Sequence, residues 1–382
     1  MIAPRYAAAR LALAGLVASA SAVTARGQAQ LPPPLELRVP KAPTVAHGVD
    51  GAFLAYELHV TNFGAQPLTL RAVEVVSTDP AHRVLYSATD STLLQGIARP
   101  GFTGAAAERS KIGGGMRGVV YMWIPVDTNR VPVSFRNRVR VEQGTGDSLR
   151  VQELEGPVVT TVRGGPVIGP PLRGGPWLAA NGPNARSGHR RALIPTGGVP
   201  TIAQRFAIDW VKLNDSSTTF SGDRLKNESY YAEGNDALAV ADGRVVEVKD
   251  SIPENVPGVN SRAVPITLET VGGNHVVIDI GGGYYAFYAH LKPGSLRVKV
   301  GDRVRRGQVV GLVGNTGNST EPHLHFHVAD AISPLGSEGV PYRLDRFELV
   351  GRCTSFGAGC TRDGPGTRRN EIPLGNAVVR FP

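Results

Sequence analysis

Only two of the 382 residues are cysteine, only 19% are charged and only 6% are aromatic. So little cysteine excludes a fold held by a disulfide framework, and it leaves Cys353 and Cys360 either as one short-loop bridge or as two free thiols. Lysine is scarce beside arginine, 7 against 34, and the formal net charge is +9. Three of the arginines, Arg5, Arg10 and Arg26, fall in a leader-like segment whose removal leaves about +6, too diffuse a charge to argue for nucleic acid. Past that segment there is no apolar run of about 18 residues, so no integral membrane span is expected. The 47 Gly and 29 Pro follow no strict period, which excludes collagen, and a 41% apolar content argues against wholesale disorder.

Residues 1–30 read as an export signal: a basic start, an apolar run from Leu11 to Val23 too short to span a bilayer, and small-residue cleavage patterns at Ala18-Ser19-Ala20 and Ala20-Ser21-Ala22. A periplasmic, cell-surface or extracellular location is therefore expected. Period-two alternation then begins, best developed in Ala52 to Val60, and further strand-like runs follow at Leu68 to Val76, Arg117 to Ile124, Val131 to Val141 and Ser148 to Val162. With no convincing amphipathic helix among them, residues 31–163 are expected to form an Ig-like antiparallel β-sandwich of accessory or positioning role. His47, His59 and His82 have no ligand spacing and read as packing or surface residues. Residues 164–183, punctuated by Arg-Gly-Gly-Pro and Ile-Gly-Pro-Pro, read as a linker or a wrapping strap that occludes a groove. A second strand-rich domain is expected over 184–350, including Ala203 to Val211 and Ile266 to Val271, and an irregular tail over 351–382.

Six of the nine histidines fall in the second domain, and three stand as His323-Leu324-His325-Phe326-His327. On a strand this spacing places the three imidazoles on one face and Leu324, Phe326 and Val328 on the core face. Upstream, the alternation of Arg205-Phe206-Ala207-Ile208-Asp209-Trp210 sets Asp209 on a polar face with Arg205, so Asp209 is either a metal ligand or the salt-bridge partner of Arg205. His290 ends the strand-like run that begins at Tyr284, and Gly314 to Thr320 is a polar bend leading into the triple histidine.

These ordered motifs, Ala239 to Val245, Tyr288-Ala289-His290-Leu291, Val300 to Val304 and His323 to Phe326, together resemble the M23 (LytM/lysostaphin-type) zinc metallopeptidases over about 145 residues. The resemblance implies an antiparallel β-sheet domain with a groove and hydrolysis of peptide bonds in bacterial peptidoglycan, with wall peptides as substrate and one zinc ion as cofactor. Carried over, Asp209 and His325 are zinc ligands, and His290 and His323 are the catalytic residues that flank the zinc-activated water and the scissile carbonyl. Zinc chemistry of that kind combines Lewis acidity with proton transfer by adjacent imidazoles.

The family's first ligand is a histidine four residues before the aspartate, and that position here is Arg205, which has no lone pair to give. His189, in Ser187-Gly188-His189-Arg190-Arg191, is the favoured replacement. His327, which stands where the family commonly has Glu, is on the right face but ~7 Å along the strand from His325. His275 reads as structural. Two other outcomes remain open: a site that binds metal weakly, or an Arg205–Asp209 pair in a catalytically degenerate domain that binds the wall or regulates another hydrolase as a protein partner.

Overall fold

A computed structural model describes residues 31–382 apart from Arg163, Phe356–Ala358 and Asp363; the expected export signal at 1–30 lies outside the described residues. The architecture is mainly β and its sheets are antiparallel apart from one short parallel pair, Val167–Ile168 with Arg343–Leu344. The alternating segment forms the long strand Gly51–Asn62, which runs antiparallel to Arg117–Val126 in register from Ala52↔Val126 to Thr61↔Arg117. Leu68–Ser77 and Ser134–Gln143 pair in the facing sheet. Each of these sheets has five strands. Leu54, Tyr56, Leu58 and Val60 of one pack against Val73, Val75, Phe135 and Val139 of the other in a common core. Strict alternation sends the intervening Glu57 and His59 to the opposite face, where both are nonetheless buried. His59 is pushed down to about 4, first by burial and then by Arg117, and is a neutral packing residue.

The second half is organised by one ten-stranded sheet. Its order is Arg303–Val304, Gly243–Lys249, Asn274–Asp279, Tyr285–Leu291, Leu324–Ala329, Ile208–Lys212, Gly174–Ala180, Ala377–Phe381, Phe347–Arg352 and Gly366–Arg368. Two expectations are corrected by this order. The segment 164–183 is not a free linker or strap, because Gly174–Ala180 is a central strand of the sheet, paired to Ile208–Lys212 on one side and Ala377–Phe381 on the other. Its Gly and Pro occupy only the strand entry, where the register is irregular, while Trp177, Leu178, Ala179 and Ala180 are fully buried. Nor is the tail irregular: Val379 and Phe381 lie in the same core as Trp177 and Trp210, with the Phe381 ring edge-on to Trp210 at 5.2 Å.

Two local readings also change. Ile266 to Val271 is a loop and turn rather than a strand, with Ile266 and Leu268 exposed. The strand expected from Ala203 begins only at Ile208, and residues 203–206 form a turn, which removes Arg205 from the alternation. Cys353 and Cys360 are bridged, and Cys353 packs with Leu178, Val211 and Val378 on the far face of the sheet. No helix among the described residues is long and apolar enough to cross a membrane.

Candidate metal centre

Three adjacent strands set the site. Asp209 pairs across the sheet with His325, and His325 pairs on its other side with Ala289, the residue before His290. The alternation expected of the triple histidine holds: Leu324, Phe326 and Val328 enter the main core, and His323, His325 and His327 share the opposite face. One strand further out, Ala180 pairs with Asp209, so the chain leaving that strand at Asn181 arrives beside the carboxylate. Asn181 has a positive φ of 48°, and this left-handed residue turns the chain towards the short helix Gly188–Arg191 that carries His189.

The ligand atoms of His189, Asp209 and His325 converge, all within 4.8 Å of one another. His189 Nε2 is 3.3 Å from Asp209 Oδ2, and His325 Nδ1 is 2.9 Å from Asp209 Oδ1. The remaining nitrogen of each histidine is engaged from behind. His189 Nδ1 donates to the Asn181 carbonyl oxygen at 3.2 Å, and His325 Nε2 lies 3.0 Å from His327 Nδ1. Without an ion, His325 Nδ1–H donates to Asp209; with its proton on Nε2 and donated to His327 Nδ1, the same Nδ1 offers its lone pair to a cation held beside the carboxylate. Asn181 Nδ2 donates to Asp209 Oδ2 at 2.8 Å, which fixes the carboxylate plane. Two nitrogens and one carboxylate oxygen form a donor set of the type zinc takes, so the residues present fit that ion.

His290 and His323 stand beside this cluster, their ring centroids 4.8 Å apart. His290 Nδ1 donates to the Thr316 carbonyl oxygen at 2.8 Å, and His323 Nδ1 donates to the Glu321 carbonyl oxygen at 2.8 Å with Ser319 Oγ at 3.2 Å. Both are thereby left with Nε2 for a substrate, and His323 Nε2 is 3.4 Å from Asp209 Oδ1. His290 itself has φ of +64°, held by its N–H donating to the Gly272 carbonyl. Gly317 makes the supporting loop possible: at φ +69° a Cβ there would meet Gly273 N at 2.2 Å. Asn181, Gln204, His189, Asp209, His290 and His323 are among the residues lining an open pocket over the cluster.

Burial would raise the Asp209 carboxyl, but the neighbouring His189 and His323, with hydrogen bonds from His323 and His325, hold it well below the usual carboxylate range. Desolvation lowers His189 and, with His323 and His325 adding to it, holds His290 well down. Burial would lower His323, but the charge and hydrogen bond of Asp209 together with Glu321 raise it.

Of the residues singled out in the sequence, His189, Asp209, His325, His290 and His323 meet in one place. Arg205 does not join them, and no Arg205–Asp209 pair forms; its guanidinium binds Glu57 instead. His327 stands behind His325, stacked on Phe287 at 4.5 Å, and is not among the converging atoms. His275 bonds Gly273 and Glu247 and is structural. Sequence reasoning missed Asn181, hidden in the supposed linker, and Gln204, which lines the pocket that Arg205 turns away from.

Residues 229–336 match Peptidase family M23. Peptidoglycan DD-endopeptidase ShyA of Vibrio cholerae is 50% identical over 56 residues, 15% of this chain and 13% of that protein. Cell division protein DipM of Caulobacter vibrioides is 28% identical over 148 residues, 36% of this chain and 21% of its own length. The similarity thus spans no more than about a fifth of either relative. The solved catalytic domain of the prophage-encoded M23 protein EnpA from Enterococcus faecalis is 24% identical with a TM-score of 0.26, covering 46% of this chain and 92% of that one.

Proposed function

From a chain that carries a Peptidase family M23 domain at residues 229–336, we propose a zinc-dependent endopeptidase that hydrolyses peptide bonds of bacterial peptidoglycan after export. The observation that carries the reading is the convergence of His189 Nε2, the Asp209 carboxylate and His325 Nδ1 beside two further imidazoles. The wall substrate follows the relatives, one of which is a peptidoglycan DD-endopeptidase.

In this reading His189, Asp209 and His325 hold the ion, and His327 and Asn181 fix the tautomers of the two histidine ligands. A zinc ion held there supplies Lewis acidity towards a peptide carbonyl and acidifies water. His290 and His323, each with Nδ1 engaged by a backbone carbonyl, exchange protons through Nε2 with the attacking water and the departing amine. The degenerate alternative was motivated by Arg205, and it loses that motive where His189 supplies the missing nitrogen and Arg205 is bound elsewhere.

Incubation of the purified chain with isolated sacculi tests the proposal. Release of soluble fragments with new amino termini, lost with a chelator and recovered with zinc, is the expected result. No release by zinc-replete protein would overturn it.

A further inference from the structure

His189 lies on a helix of only four residues, Gly188–Arg191, which has no stability of its own and is placed by whatever grips it. The grip comes from the N-terminal sandwich. Arg190, fully buried, donates through Nη2 to the Met122 carbonyl at 2.6 Å, the Tyr56 carbonyl at 3.1 Å and Glu57 Oε1 at 3.3 Å. Its guanidinium lies 5.4 Å over the Trp123 ring and 5.7 Å over Tyr121. Arg191 bonds the Gln95 carbonyl, and Arg186 bonds the Gln95 side chain. All of these partners belong to the sandwich strands or to the short helix Asp90–Gly96 beside them.

The same Glu57 also holds the second ligand segment. Arg205, four residues before Asp209, donates to Glu57 Oε2 from Nε at 3.1 Å and from Nη2 at 2.9 Å, and its Nη1 is 2.7 Å from Glu338 Oε2. Two arginines and two glutamates thus balance in a chain that is buried at Arg190, Glu57 and Arg205 and half-buried at Glu338, with Glu57 at its centre.

We propose that the sandwich completes the metal centre: Glu57, acting through Arg190, is a positioning residue that holds His189 against Asp209. This inference rests on the zinc site proposed above. It explains the arginine at the usual ligand position, since Arg205 anchors to the sandwich and the ligand is delivered from the neighbouring anchored segment. Loss of the anchor leaves the distant nitrogen on unsupported chain and weakens metal binding without touching a ligand.

Zinc affinity of the full chain, measured by competition with a chromophoric chelator, tests it. Relative to the unmodified protein, Glu57→Gln is expected to weaken zinc about 10–100-fold, the range for loss of a ligand's supporting partner. In a His189→Ala background the same substitution is expected to change affinity no further, a coupling that general destabilisation would not produce. Should Glu57→Gln fail to fold, Arg190→Met makes the same test, because it leaves Glu57 its pair with Arg205. Unchanged affinity in these variants, or full additivity with His189→Ala, overturns the inference alone. No zinc in the unmodified protein, or wild-type affinity in His189→Ala, overturns the zinc site and this inference with it.

Discussion

Each histidine of the site is specified by what its second nitrogen touches. His325 depends on His327, so His327→Leu, which keeps the bulk beside Phe287 but removes the acceptor, is expected to lower zinc affinity about 10–100-fold in chelator competition. His323 holds no place in the ligand set proposed here, so His323→Ala should keep bound zinc while slowing peptide release by about 10²–10⁴-fold, the scale of a lost acid–base group. A rate and a metal content that fall together would contradict that division. Glu321 offers a pH test. Burial pushes its carboxyl up to about 7 against the opposing pull of His323. A carboxyl raised on folding costs nothing while it is protonated in both states, and stability is lost as pH climbs from the unfolded value through 7. Removing that loss, Glu321→Gln should gain roughly 1–3 kcal/mol over wild type between pH 5 and pH 8 in thermal unfolding, and a pH-independent difference would refute it. The carboxylate, the triple histidine and His290 were legible because strand alternation and motif order report faces directly. Arg205 misled because the chain turns at 203–206, and a turn breaks the period on which that reading relied.

Among the strands, Gly174–Ala180 was the hardest to read and carries much of the site's support. Its Gly-Gly-Pro entry suggested a breaker, and the short apolar remainder, Trp177 to Ala180, was too brief to outweigh it. Its position is nevertheless central, and it delivers Asn181 to both Asp209 and His189. Trp177→Ala should therefore cost about 3–5 kcal/mol in denaturant unfolding, as expected for an aromatic emptied from a close-packed core. A linker tryptophan would cost almost nothing. The closing strand Ala377–Phe381 was missed for a related reason: it is a short apolar run buried on both faces, without the alternation that marks a strand, and its partner Gly174–Ala180 is far away in sequence.

Taken together, the two halves share more than a tether. The expected boundary at 164–183 is occupied by strands, and the face of the sandwich strand Gly51–Asn62 that its own core does not use presents Glu57 to Arg190 and Arg205. A sequence cannot display such pairing, because Glu57 and Arg205 lie 148 residues apart and alternation alone marks Glu57 as a surface residue. The central claim is that a metal centre exists and that its third ligand is His189. Zinc content of the purified full chain, read beside the His189→Ala variant, tests it most directly. The account predicts about one zinc per chain, lost on that substitution, as for a site with three protein ligands; zinc absent from the unmodified protein, or retained undiminished without His189, would contradict it.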